Sequence, residues 1–362
     1  MSIENSELYA VTVDEMVRLL TKSYTALLQA DQPLHRFPSV MLWGAPGVGK
    51  SQGVRELARG LAARTNKQVH ITDVRLLLFN PVDLRGIPTA NADKTLAIWL
   101  KPKIFQMDES ELVVNILFLD EISAAPPSVQ AAAYQITLDR TVGEHKLPNN
   151  CIVIAAGNRV TDKSVAFRMP AALANRLCHF EIKSNVESWH DWAVKNRLHP
   201  LVISYLEYNP ISLLRPNDNG NAVAFPTPRS WEMVSNILRQ VSDEIEDILP
   251  LIVGCIGYET ASRLRDWAEL YFDMPNVRDI FNGRSVTVEQ AEETYIILRS
   301  QMVNYAADHP SQTAVDLSLD FASRLPWSFR RKLMHDYYYT PKLRPYLKNN
   351  AMFAEALKEN TL

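Results

Sequence analysis

The stretch GAPGVGKS at 44–51 constrains the fold more than any other part of this chain. It follows the apolar run SVMLW (39–43) and leads into SQGVRELARGLAARTN (51–66), where Val54, Leu57, Ala58 and Leu61 share one helical face. Gly44, Gly49, Lys50 and Ser51 match the spacing G-x-x-x-x-G-K-S/T between a strand and a helix. Glycines let the backbone curl until successive N–H groups and the helix N-terminus face an anion. Gly44, Ala45, Pro46, Gly47, Val48, Gly49, Lys50 and Ser51 are therefore expected to cradle a phosphate chain. Lys50 would act as a point charge on it, and the Ser51 hydroxyl as a ligand for Mg2+.

A phosphate site needs further groups at neighbouring strand ends. In NILFLDEIS (115–123), Asp120 and Glu121 follow an unbroken apolar run, which places them at the carboxyl end of a buried strand. Asp120 is expected on the metal side and Glu121 beside the attacking water. A third such strand, CIVIAAG (151–157), delivers Asn158, suited to hold the water or sense the terminal phosphate. The apolar runs lack alternation, as in a parallel sheet covered on both faces by helices. QVHITDV (68–74) reads as a further strand, and SVQAAAYQITLD (128–139) as a helix entered through Pro126 and Pro127.

From about residue 185 the texture becomes helical. VESWHDWAVKN (186–196), PRSWEMVSNILRQVSDEIE (228–246), LPLIVGCIGYETASRLRDWAELY (249–271) and TVEQAEETYIILRSQMVNYAAD (287–308) each read as one helix. Trp189, Trp192 and Trp231 are read as core residues. The organisation expected is an α/β nucleotide-binding domain over 1–184, a helical domain over 185–309 and a helical C-terminal extension over 310–362. That extension carries a basic, tyrosine-rich segment after residue 329, read as a helical cap, with a docking or nucleic-acid contact as alternatives.

These strand ends, in this order, resemble the AAA+ ATPases, and the details resemble the MoxR-like branch. The segment FLDEISAAPPSVQAAAYQITLDRTV (118–142) carries the acidic pair, two prolines, a glutamine- and alanine-bearing helix and an Asp-Arg pair leading into a hairpin over 139–150. NPVDLRGIPTANADKTLAIWLKPKIF (80–105) is similar to the insertion that this branch carries in its second helix. AFRMPAALANRLCHFEI (166–182) is similar to the helix ending in Asn-Arg-Phe, with leucine in place of phenylalanine. The resemblance covers about residues 36–240. It implies an α/β fold, a P-loop NTPase parallel sheet with an all-helical lid, and ATP and Mg2+ as cofactors. It also implies that Arg176 is an arginine finger reaching a neighbouring subunit's ATP, and that Arg229 is the lid arginine called sensor 2. Arg140 and Arg168 are left between inter-subunit and internal pairing, and His35 and Arg36 beside the adenine.

A finger acting in trans requires neighbours, so a homo-oligomer is expected, a hexameric ring by resemblance. Branch members often act beside von Willebrand type A domain proteins, and remodelling or maturation of a protein partner is the leading function. The runner-up is a nucleic-acid motor of a restriction or DNA-translocating system. It is disfavoured by a net charge of −3 and by hairpins that offer only Lys94 and Lys146. An inactive scaffold is disfavoured by the intact Lys50 and acidic pair. Cys151, Cys178 and Cys255 have no metal-site spacing and read as reduced thiols. No signal-like segment precedes the domain, and ILPLIVGCIGY (248–258) is too short to cross a bilayer, so a cytoplasmic protein is expected.

Overall fold

The structure is a computed structural model and describes residues 8–159, 169, 174–215, 223–241 and 245–358. The chain divides once, between Ser184 and Asn185.

The first unit is built on a six-stranded, wholly parallel sheet of β1 (Ala10–Val11), β2 (Val40–Trp43), β3 (Gln68–Arg75), β6 (Val113–Asp120), β9 (Cys151–Gly157) and β10 (Cys178–Ile182). Their order across the sheet is β1-β10-β2-β9-β6-β3. β6 is buried up to its last residue and β9 throughout, which explains why neither alternates in sequence. Because β2 sits inside the order, the crossovers leave it in opposite directions. The carboxyl ends of β2, β9 and β6 therefore line the crevice where open α/β sheets bind ligands.

Helix α1 (Val13–Gln29) starts on a capping box between Thr12 and Glu15, and α2 (Lys50–Thr65) and α4 (Pro127–Asp139) also cover the sheet unit. The 80–105 segment forms a short helix α3 (Pro81–Arg85) and an antiparallel hairpin of β4 (Ile87–Ala90) and β5 (Ala97–Leu100). A second hairpin pairs β7 (Thr141–Val142) with β8 (His145–Lys146). The two hairpins touch: His145 Nε2 lies 2.8 Å from the Trp99 carbonyl. Arg140, in a left-handed conformation, donates to the carbonyls of Pro148 (3.2 Å) and Cys151 (2.7 Å), so it fastens the base of its own hairpin. Arg168 lies outside the described residues.

Among the described residues the second unit is helical, and one continuous core runs through it. Trp231, with no exposed surface, shares that core with Trp189, Leu264 and Leu298, and with Leu333, Tyr337 and Phe353 from beyond residue 310. Trp192 packs against the core half-buried. The described part of the C-terminal segment, to residue 358, thus shares that packing. Three of its cations contact neighbours in the second unit: Arg330 lies over the Trp327 ring, Arg344 over the Tyr338 ring, and Lys332 reaches Glu207.

Several helix bounds differ from the sequence reading. The 228–246 stretch yields a helix only over Pro228–Gln240, and a new helix, Ile245–Ile256, takes its last residues. The 249–271 stretch is broken at Gly257, whose φ of +78° a helix cannot continue, and the chain resumes as Tyr258–Phe272. The 287–308 stretch becomes helical only at Glu292, where Glu292 and Glu293 complement the helix N-terminus. The cysteines are free thiols, and burial pushes Cys151 up to about 11, which keeps it protonated and inert.

Candidate functional site

The phosphate-loop motif occupies the turn from β2 into α2. Gly49 is the N-cap of α2 with φ +102°, a left-handed position that orients the first N–H groups of the helix into the loop. Lys50 opens the helix, and its buried ammonium donates to the Gly44 carbonyl (2.6 Å), the Ala45 carbonyl (3.1 Å) and Asn158 Oδ1 (3.0 Å). Its side chain therefore folds back across the loop toward the end of β9.

Asp120 closes β6 with both carboxylate oxygens engaged. Oδ2 accepts from the Ser51 hydroxyl at 3.0 Å, and Oδ1 accepts from the Glu121 backbone N–H at 2.9 Å. Glu121 has φ +59°, so the chain turns sharply after the strand. That turn is pinned to β9: the Ile122 N–H donates to the Ala156 carbonyl at 2.9 Å. A hydroxyl and a carboxylate held together form a hard-oxygen pair that fits Mg2+.

The structure thus brings Lys50, Ser51, Asp120, Glu121 and Asn158 to adjacent strand ends. Arg176 is exposed in the turn two residues before β10. The residues ahead of Ala174 that were read as its helix lie mostly outside the described residues. Arg229 stands on the second unit, exposed at the second position of the Pro228–Gln240 helix behind the Thr227 cap. A cation there opposes the helix dipole.

Four supporting residues escaped the sequence reading. Ser123 accepts from the Asn158 N–H at 2.9 Å, and Gln130 donates to the carbonyls of Ser123 (3.2 Å) and Ala125 (3.0 Å), which locks the turn after the acidic pair. Asp73, in register with Phe118 on β6 and exposed, is raised above the ordinary carboxyl range by partial desolvation and then by the charge of Asp120. His179 on β10 accepts from the indole N–H of Trp43 at 2.8 Å. Only Asp73 had a sequence signal, a carboxylate near the end of a strand; the others depend on which segments become neighbours.

Residues 39–179 match the family described as "ATPase family associated with various cellular activities (AAA)". The chain is 30% identical over 141 residues to Protein MoxR of Methylorubrum extorquens, a match spanning 38% of this chain and 38% of that protein. Among solved structures, a RuvB mutant from Thermotoga maritima is 14% identical, with 75% of this chain and 78% of that one covered and a TM-score of 0.35. NtrX from Brucella abortus in complex with ADP is 13% identical, with 92% and 70% covered and a TM-score of 0.38. Overlaps as loose as these two carry no argument about what the chain does.

Proposed function

We propose, on the premise that residues 39–179 form a MoxR-like AAA+ ATPase domain, that the chain hydrolyses ATP to ADP and phosphate in a ring of its own copies and uses the cycle to remodel or mature a protein partner. The observation carrying this reading is the hydrogen-bonded convergence of Lys50, Ser51, Asp120 and Asn158 at the ends of β2, β6 and β9.

In this reading the loop from Gly44 to Gly49 wraps the phosphates with backbone N–H groups, and Lys50 balances their charge. Ser51 and Asp120 would hold Mg2+, which supplies charge neutralisation on the phosphate oxygens when bound. Glu121, next to Asp120 in the chain, orients the attacking water and takes its proton, while Asn158 holds that water in line. Arg176 stabilises charge on the nucleotide of the next subunit, and Arg229 contacts phosphate from the lid. Ring closure, most simply as a hexamer, follows from a heterologous contact repeated until it meets itself.

A protein partner is favoured over nucleic acid by the face of the first hairpin. Ile87, Leu96, Ile98 and Leu100 are all exposed, and Lys94 is the lysine among them. Such an apolar face suits a protein surface, including a von Willebrand type A domain, better than a phosphate backbone.

Mixing tests the ring directly. Lys50→Ala should abolish nucleotide binding by isothermal titration, and Arg176→Ala should bind ATP yet turn over slowly. Co-assembled, the two should regain part of the activity, because a subunit with an intact Lys50 then faces an intact Arg176. Mixed rings, verified by mass photometry, that stay as inactive as either parent would overturn action in trans. Unchanged nucleotide affinity in Lys50→Ala would overturn the site itself.

A further inference from the structure

β10 is the neighbour of β2 on the side away from the acidic pair, and nothing in the hydrolysis scheme uses it. In the register of the pair, Glu181 stands opposite Trp43 and His179 opposite Met41. His179, Glu181 and Trp43 therefore project from the same face of the sheet. The Trp43 indole N–H donates to His179 Nδ1 at 2.8 Å, with the rings 10° from parallel. With Nδ1 accepting, the ring proton lies on Nε2, which donates to the Ala174 carbonyl at 2.7 Å. Trp43 is the last residue before the phosphate loop. Ala174 is two residues before Arg176, and its carbonyl also accepts the Leu177 N–H at 3.2 Å.

The loop entry is fixed against β10 at a second point. A Cβ on Gly44 would lie 2.7 Å from the Ile182 carbonyl, so the two backbones are in close approach. Glu181, on the same face as His179, pairs at 2.6 Å with Arg159, the residue after Asn158. One strand face thus reaches the residue before the phosphate loop, the residue after Asn158, and the turn that carries Arg176.

We propose that His179 is a positioning residue: through Trp43 and Ala174 it sets the Arg176 turn in a fixed geometry relative to the phosphate loop of the same subunit. The proposal rests on the reading of Arg176 as a finger. His179 touches no nucleotide in this scheme and acts only through Arg176. The role needs one acceptor and one donor on opposite sides of a flat group, which a glutamine amide supplies and a phenyl ring does not.

The test is a set of variants of the full chain, assayed by single-turnover hydrolysis and by nucleotide titration, with thermal unfolding to verify folding. His179→Phe is expected to slow hydrolysis about tenfold while changing nucleotide affinity less than about twofold. His179→Gln should restore most of the rate. Trp43→Phe removes the same hydrogen bond from the other side, should cause the same loss, and serves if His179→Phe does not fold. In the Arg176→Ala background, neither phenylalanine variant should slow hydrolysis further. Equal losses with and without Arg176, or no rescue by glutamine, would overturn the positioning role. Full turnover in Arg176→Ala alone would instead overturn the finger, and with it what His179 positions.

Discussion

Lys50 and Arg299 are both cations with almost no exposed surface, one in each unit, and they are held in opposite ways. The Lys50 ammonium donates to two backbone carbonyls and a side-chain amide. Arg299 is held by carboxylates: Glu207 and, at 3.0 Å, Asp336. The carbonyls and the amide orient the Lys50 ammonium at the loop. Carboxylates cancel the charge, and a cation held as Arg299 is can only fix geometry. The Arg299 cluster joins four helices of the second unit, with His190 and Asp191 from Val186–Lys195, Glu207 from Pro200–Tyr208, and Asp336 and His335 from Trp327–Tyr339. Burial pushes Asp336 up, but Arg299, His190 and His335 outweigh it and hold the carboxyl below its ordinary range. Backbone carbonyls and an amide orient Lys50 within the first unit, whereas carboxylates on two other helices fix Arg299 within the second.

The sharpest break of that contrast is Glu121→Gln. Removing a base that acts on water should lower turnover about 10²- to 10⁴-fold, with nucleotide binding and thermal unfolding unchanged. A steady-state assay with near-normal turnover would end its role in the chemistry. The counterpart in the second unit is Arg299→Met, which leaves the buried Asp336 with only His190 and His335 beside it, while Glu207 keeps Lys332. Stranding a buried charge costs about 3–5 kcal/mol, and the loss should appear as hydrogen exchange confined to residues 185–358. Exchange rising equally in both units would mean that Arg299 does more than hold its own helices.

A further effect, spread over several pH units, is a pH dependence. His199 is held down to about 3 by burial and then by Arg239, while its Nδ1 accepts the Leu201 N–H at 3.2 Å. Above the ordinary imidazole value neither the folded nor the unfolded chain protonates it. Below about pH 6.5 the unfolded chain binds a proton that the folded one refuses, so stability falls by up to about 1.4 kcal/mol per pH unit until about pH 3. His199→Asn keeps a capping side chain at that helix start and should flatten this part of the acid limb in thermal unfolding. Identical limbs in the two proteins would show that other groups set it.

What the sequence made legible follows from how local each signal is. The turn from β2 into α2 is written in consecutive residues, because the backbone conformation and the charge it presents belong to the same eight positions. Asp120 and Glu121 are equally local, since an apolar run ending in carboxylates marks the exit of a buried strand. Ser123, Gln130 and His179 carry no such mark; their roles exist only once β6, β9, β2 and β10 lie side by side. The helix Pro200–Tyr208 carries no periodic signal for a related reason. Seven of its nine residues are buried, so no polar face gives it a helical period. Arg299 sits mid-helix among residues of which most are buried, where a sequence reading expects a charge to face water.

β1 is only Ala10–Val11, and on the outer edge of β10 it pairs with the last two residues, Glu181 and Ile182. An open strand edge is a template for another chain, and proteins blunt it with charge, bulges or cover. At the opposite edge β3 presents the exposed Asp73 and Arg75, whereas β10 relies on two small apolar residues for cover. An expression boundary drawn after Val11 would therefore do more than trim an end. It would leave Glu181 and Ile182 without their partners on that side, lengthening the open edge of the strand that also bears His179 into a surface for self-association.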